Sequence, residues 1–169
     1  GHKKVIFTVH SPVTLMITDS EGWRVGVDME KLLNEDFTGI YEEISGSSIN
    51  DYQDIEYEMD VPSDGELKVV FDGIGMGTFG MDVEVITWVD EEQTTLAKTS
   101  YVDIPVTFDS VGSAEYSFEE DALVATPIKI DIDGNGTVEA VINPDSTPSI
   151  FEKINMLKAT VLGLGIKEQ

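Results

Sequence analysis

The sequence predicts an all-β protein, an antiparallel β-sandwich followed by a C-terminal α-helix. Apolar and polar residues alternate in most segments, which is the period of a strand with one buried face. About nine or ten such segments follow one another at intervals near ten residues, and turn residues rather than crossover helices join them. This spacing favours an immunoglobulin-like or jelly-roll-like sandwich.

The composition indicates a folded acidic domain. The chain has 169 residues, of which 33 are acidic and 10 basic, for a formal net charge of −23, and 41% are hydrophobic. That length is typical of one domain, and the apolar content is too high for a disordered acidic tail. Clusters of lysine and arginine that bind nucleic acid or anionic lipid are absent, so we expect neither partner. The absence of cysteine excludes disulfides and thiolate metal sites.

The N-terminal segments are expected to form three strands, at residues 5–9, 13–18 and 23–27. They are short and rich in β-branched side chains, and a cluster of turn residues at 19–22 separates the second from the third. Residues 29–33 fit either one helical turn or an irregular strand.

Alternation is clearest in the middle of the chain. Residues 54–61, 67–71 and 81–89 each place apolar side chains at every second position, which a helix with its repeat near 3.6 would not do. Residues 102–108 form the next inward set. Pro105 cannot donate a ladder hydrogen bond, so this strand is expected at a sheet edge or at a bulge.

Two further strands flank a short loop. They are predicted at residues 126–132 and 138–142, so that residues 131–142 form a hairpin. The hairpin completes a sandwich domain that spans residues 1–145.

The predicted C-terminal helix and tail occupy residues 146–169. Thr147 is a suitable N-cap and Pro148 suits the first helical position. Apolar residues then recur at helical spacing as far as Gly163, at Ile150, Ile154, Leu157 and Val161. The sequence leaves open whether this helix packs on the sandwich or begins a linker.

The loop at residues 131–139 has the spacing of a calcium site. Oxygen-bearing residues occupy alternate positions, and glycines stand at 134 and 136 where the backbone must fold back. Ca²⁺ takes six to eight oxygen ligands, and such a turn supplies most of them from one segment. We expect a structural Ca²⁺ ion. The predicted ligands are Asp131, Asp133, Asn135, the carbonyl of Thr137, and Glu139.

The residues of this loop also occur in two other structures, an EF-hand and a plain β-hairpin. An EF-hand needs a bidentate glutamate at the twelfth position, which is Ile142 here, and its flanks are helices rather than strands. An EF-hand is therefore excluded. A plain β-hairpin remains the alternative, because aspartate, asparagine and glycine are the residues that tight turns need without any metal.

A family resemblance rests on residues 10–28, which contain a Ser-Pro-Val-x-Leu run and a Thr-Asp-x-x-Gly turn. Asn34-Glu35, Gly39-Ile40-Tyr41 and the glycine-rich residues 73–80 follow. The pattern, over roughly residues 9–90, resembles a β-sandwich domain that recurs in secreted bacterial and archaeal surface proteins. The loop at 131–139 separately resembles the calcium hairpins of integrin-type repeats and of dockerins.

These resemblances imply context rather than chemistry. Domains of this group are non-catalytic accessory or stalk modules, and their partners are neighbouring catalytic or adhesive domains of the same polypeptide. The implied location is extracellular, in a secreted protein or at the cell surface.

The sequence predicts no catalytic set, so we expect no enzyme. A serine nucleophile needs a histidine base, and His10 beside Ser11 does not form a triad by adjacency. The other histidine, His2, is expected to have no role. Among 33 acidic residues, no carboxylate pair stands out as a glycosidase pair.

Aromatic residues offer an alternative function, the binding of a glycan or a protein ligand by an exposed platform. Burial in the core is the competing role for such side chains, since they carry much of the burial energy of a domain. Trp23 and Trp88 are the candidate ligand-binding residues. The platform is expected to draw on Trp23, Tyr41, Tyr52, Trp88 and Tyr101.

Overall fold

The computed structural model describes residues 2–34, 38–51, 53–120 and 122–145, and the single positions 154, 157, 158 and 161. Thirteen strands and one short helix are formed within this part of the chain. In order they are β1 (Lys3–His10), β2 (Val13–Asp19), β3 (Arg24–Val27), α1 (Met29–Leu32), β4 (Ile40–Glu42), β5 (Ser48–Asp51), β6 (Ile55–Asp60), β7 (Glu66–Gly73), β8 (Gly77–Val89), β9 (Glu92–Val106), β10 (Val111–Glu119), β11 (Ala122–Ala125), β12 (Ile128–Asp131) and β13 (Ala140–Ile142).

The strands form two antiparallel sheets, which confirms the predicted all-β sandwich. The five-stranded sheet has the order β5-β6-β1-β8-β9. The eight-stranded sheet has the order β13-β12-β10-β7-β2-β3-β4, with β11 also paired to β10. The chain crosses between the sheets in the connections β1–β2, β4–β5, β6–β7, β7–β8 and β9–β10, so each sheet is built from several separated parts of the sequence.

The core lies between the inner faces of the two sheets, where the alternating apolar residues meet. Phe7 of the five-stranded sheet packs edge-on against Tyr116 of the eight-stranded sheet, with ring centroids 5.2 Å apart. The Tyr116 hydroxyl donates to the Tyr101 hydroxyl at 3.2 Å, and Tyr101 donates to the Thr126 carbonyl at 3.3 Å. Buried tyrosines therefore tie the sheets together by polar bonds as well as by apolar contact.

A second tyrosine bond crosses the sandwich near its other side. The backbone N–H of Leu15 donates to the hydroxyl of Tyr57 at 3.2 Å. Burial raises the pKa of Tyr57 to about 12, because the ionised form would lose its solvation in the core.

The individual elements agree well with the sequence pattern. Residues 29–33 fit either one helical turn or an irregular strand, and in the structure Met29–Leu32 form the helix α1. The Asp28 side chain caps this helix by accepting the Lys31 N–H at 3.2 Å. Pro105 lies in β9, which is an edge strand, as predicted. The strand predicted at 126–132 is shorter and starts at Ile128.

The predicted C-terminal helix falls mostly outside the described residues, which include only the positions 154, 157, 158 and 161 of residues 146–169. The boundary between residues 1–145 and residues 146–169 therefore stays a prediction. Within the described part of the chain, no helix combines the length and the apolar character needed to cross a bilayer.

Candidate metal centre

Both ends of the loop at residues 131–139 are fixed to the sandwich. The hydroxyls of Thr107 and Ser110, in the turn between β9 and β10, both donate to the carbonyl of Ile132, at 2.9 and 2.6 Å. At the other end, the N–H of Glu139 donates to the carbonyl of Ile130 at 3.0 Å. The loop therefore begins and ends on a rigid frame.

The loop folds by bonding its own side chains to its backbone. Asp131 accepts the N–H of Asn135 at 3.2 Å through Oδ1 and the N–H of Gly136 at 2.7 Å through Oδ2. Gly134 and Gly136 have φ angles of +71° and +90°, a backbone conformation that residues other than glycine rarely adopt. A Cβ at Gly134 would also lie 2.6 Å from the Asp109 carbonyl oxygen. Both glycines are thus required by geometry.

Three carboxylates converge inside this turn. Asp131, Asp133 and Glu139 each offer an oxygen, and these three oxygens all lie within 4.8 Å of one another. Glu139 Oε1 accepts the N–H of Asp133 at 3.4 Å. Glu139 Oε2 is buried and has no hydrogen-bond partner in the described part of the chain. A buried acceptor without a hydrogen-bond partner lowers the stability of the folded protein unless a ligand supplies the missing interaction.

The electrostatics of the cluster reflect this crowding. Burial raises the pKa of Glu139 to about 7. The proximity of the Asp133 side chain and the charges of Asp133 and Asp131 act in the same direction, whereas the bond from the Asp133 N–H acts to lower this pKa. Burial also acts to raise the pKa of Asp133, but hydrogen bonds from Glu139 and from the Asn135 N–H outweigh it and leave that pKa lowered. A proton or a cation relieves the repulsion among such carboxylates.

Of the other two predicted ligands, Asn135 and the carbonyl of Thr137, Asn135 is occupied within the turn. Asn135 Oδ1 accepts the N–H of Thr137 at 2.8 Å, and Asn135 Nδ2 donates to Asp133 Oδ2 at 3.2 Å. Their coordination of an ion stays a prediction, whereas Asp131, Asp133 and Glu139 are brought together. Thr107 and Ser110 were not among the predicted site residues. Their spacing of three residues beside a turn is a signal for such anchoring.

The two tryptophans are both exposed but lie on different sheets. Trp23 is 52% exposed and precedes β3 of the eight-stranded sheet, while Trp88 is 41% exposed and lies in β8 of the five-stranded sheet. The turn before Trp23 is well ordered by hydrogen bonds. The Trp23 N–H donates to Asp19 at 2.9 Å, and the indole Nε1 donates to Glu21 at 3.2 Å.

The predicted aromatic platform is wrong in part. Tyr101 is 1% exposed because its ring belongs to the core. The ring of Tyr41 is covered by Arg24, whose guanidinium carbon lies 3.9 Å from the ring centroid, and Tyr52 lies outside the described residues. The alternation also ends before the end of β8: Ile86 is buried although it lies outside the core cluster, and Val89 is exposed.

A groove of about 800 Å³ lies beside Trp23, at the end of the sandwich opposite the loop at 131–139. The two ends are separated by the length of β2, about 20 Å at the rise of a strand. Carboxylates and hydroxyls supply most of the polar residues of the groove, beside His2 and Lys3. The lining includes Asp19, Ser20, Glu21, Trp23, Ser45, Asp60, Ser63 and Asp64.

His10 is held between two carboxylates. Its Nδ1 lies 3.0 Å from Asp54 Oδ1, and its Nε2 lies 3.5 Å from Asp82 Oδ2. The hydrogen bond to Asp54 raises the pKa of His10 against the smaller opposing effect of burial, and Asp82 adds to the rise. Both ring nitrogens face acids, so this geometry orients the imidazole toward carboxylates rather than toward a hydroxyl nucleophile.

Comparison of the chain with protein-family models, with curated proteins and with solved structures found no match.

Proposed function

We propose that the protein is a non-catalytic accessory or stalk module of a larger secreted or cell-surface protein, stabilised by a structural Ca²⁺ ion in the loop at residues 131–139. The observation that carries this proposal is the convergence of Asp131, Asp133 and Glu139, whose oxygens lie within 4.8 Å of one another. Neighbouring domains of the same polypeptide are the proposed partners.

The donor set fits calcium. Its ligand atoms are carboxylate oxygens, which hard cations prefer, and bonds of 2.3–2.6 Å place opposite ligand oxygens about 5 Å apart. The buried Oε2 of Glu139 would gain the partner that it lacks among the described residues. When bound, the ion would supply positive charge that lets all three carboxylates be ionised together.

A structural role follows from the position of the loop. It joins β12 to β13, the last strands at one edge of the eight-stranded sheet, and Thr107 and Ser110 attach it to the β9–β10 turn. An ion held there would fasten the edge hairpin to the body of the sandwich. Extracellular calcium modules bind at about 10⁻⁴ to 10⁻³ M, so millimolar calcium outside a cell would occupy such a site.

Calcium is expected to raise the thermal unfolding midpoint, and a chelator to lower it. At ten times its dissociation constant the ion adds about 1.4 kcal/mol to the free energy of unfolding. The measurement is differential scanning calorimetry in millimolar calcium and in excess chelator. Asp131→Ala should abolish the difference, because Asp131 both folds the turn and supplies a ligand.

The control for this experiment is Glu92→Ala, which removes an exposed carboxylate at the start of β9. This variant should keep the full calcium effect. Equal midpoints of the unaltered protein in both buffers would overturn the proposed calcium site and leave the plain hairpin.

A second candidate function, glycan binding, is supported by the groove beside Trp23. An exposed indole fixed by its bond to Glu21 offers a flat face on which a sugar ring can stack. Carboxylates and hydroxyls around it accept hydrogen bonds from sugar hydroxyls, and the volume of about 800 Å³ is in the range of ligand pockets. The acidic lining favours neutral or amine-bearing sugars over sulfated or carboxylated ones.

Trp23→Ala is expected to abolish binding to any sugar that the protein recognises on a glycan array. Stacking of a ring on an aromatic face is lost with the indole, and Trp23→Phe should retain part of the affinity. The matched control is Trp88→Ala, which removes an indole of similar exposure outside the groove. Loss of binding in the Trp88 variant alone would place the binding site on β8 instead. An array on which the unaltered protein binds no sugar would overturn the glycan function.

A further inference from the structure

Thr14 is an unexpected buried polar residue. It lies in β2 between the core residues Val13 and Leu15, so its side chain belongs to the outer face of the eight-stranded sheet. It is nevertheless only 3% exposed, and its Oγ1 has no hydrogen-bond partner in the described part of the chain. Nearly all buried hydroxyls in folded proteins are satisfied, so a lone one requires an explanation.

Two aspartates flank Thr14 on the same face. Thr14 pairs directly with Asp72 of β7. On its other side, the pairing of Met16 with Gly26 continues by two residues to place Asp28 opposite Thr14. Adjacent strands lie 4.7–4.9 Å apart, so the Cα atoms of Asp28 and Asp72 are about 10 Å apart with Thr14 between them.

The charge of Asp28 acts on Asp72. Burial raises the pKa of Asp72, and the charge of Asp28 raises it further. Asp28 is held in place because its Oδ1 accepts the N–H of Lys31 at the start of α1, and its own N–H donates to the Gly39 carbonyl at 2.7 Å. A fixed aspartate, a second aspartate and a buried neutral oxygen therefore share one patch of the sheet.

We propose that Asp28, Thr14 and Asp72 bind a second hard divalent cation, of the calcium class, on the outer face of the eight-stranded sheet. The two aspartates lie on either side of Thr14, and because Asp28 Oδ1 accepts the Lys31 N–H, Asp28 would bind the ion through Oδ2. The two carboxylates would then span the 5 Å or so that opposite calcium ligands require. The Thr14 hydroxyl supplies a neutral oxygen beneath the ion, and water completes the coordination. The unpartnered Oγ1 is explained because it is a ligand.

The patch is separate from the loop at residues 131–139. Val111 of β10 pairs with Asp72 on one side and with Asp131 on the other. Both carboxylate oxygens of Asp131 are turned into their own loop, where they accept the N–H groups of Asn135 and Gly136. Each site can therefore be removed without touching the other.

Isothermal titration of the full chain with calcium alone tests this proposal by stoichiometry. Two ions per chain are expected in the unaltered protein, and one in either Asp72→Asn or Asp131→Ala. The double variant should bind none. Thr14→Val keeps the side-chain shape without the hydroxyl, and it should weaken the second site by at least about tenfold, the loss that even an outer-shell partner causes.

Two controls separate ion binding from folding. Thr14→Val should not lower the unfolding midpoint in chelator, since it removes a buried hydroxyl without a partner. Asp90→Asn, in the turn between β8 and β9, should still bind two ions.

The number of ions bound by each variant distinguishes the two proposed sites. A single ion that Asp131→Ala removes and Asp72→Asn leaves would overturn the second site. A single ion removed only by Asp72→Asn would support it and overturn the loop site. No calcium binding at all would overturn both.

Discussion

Alanine at Tyr116 is expected to lower the free energy of unfolding by about 4 kcal/mol, the range found when large buried aromatic residues are truncated. The Tyr116 side chain is fully buried and meets Phe7 edge-on across the sandwich. Its removal leaves a cavity between the two sheets and also deprives Tyr101 of the hydrogen bond that it accepts. Urea unfolding followed by tryptophan fluorescence measures the loss.

Tyr116→Phe separates packing from hydrogen bonding. The ring and its contact with Phe7 stay, and only the bond to Tyr101 is lost, which costs about 1 kcal/mol. Tyr101 keeps its own bond to the Thr126 carbonyl. If both variants lost the same free energy, the contribution of the ring to inter-sheet packing would be refuted.

Gly73→Ala is expected to lower the free energy of unfolding by about 3 kcal/mol, the upper part of the range for overpacking a close contact. A Cβ at this position would collide with the carbonyl of Thr107 and lie 3.2 Å from Ser110 Cβ. The Gly73 N–H also donates to the Ser110 carbonyl at 2.9 Å. The β9–β10 turn must therefore move away from β7.

That movement should also reach the loop at 131–139, because Thr107 and Ser110 hold the carbonyl of Ile132. The calcium-dependent rise of the unfolding midpoint is expected to shrink in Gly73→Ala. The matched control is Gly75→Ala, whose Cβ would lie 3.3 Å from Pro12, a contact that a small shift relieves. Equal losses of stability in the two variants would contradict the steric argument.

The strands could be predicted because their signal is local. Ile55, Tyr57 and Met59 alternate with acids, and that alternation alone places one face in a core. The loop was predictable for the same reason, since its glycines and acids are consecutive in the chain. Asp131, Asp133 and Glu139 come together through bonds made inside nine residues.

The features that could not be predicted depend on distant parts of the chain. The order of the strands follows from crossings between sheets, which no segment encodes alone. Val89 continues the apolar alternation of β8 but is exposed at the end of the strand, and Ile86 is buried outside the core cluster, so neither followed from simple alternation. The burial of Tyr101 likewise depends on Tyr116, which is in the other sheet.

One feature of β9 bears on how copies of this domain behave when they are crowded. This strand is an edge of fifteen residues, long enough to invite a strand from a second molecule. Pro105 removes one backbone donor, and Asp103 has a φ of +55°, which turns the backbone out of the extended conformation. A second chain therefore meets an interrupted ladder, and crowded copies of this domain are expected to remain separate rather than join into a continuous sheet.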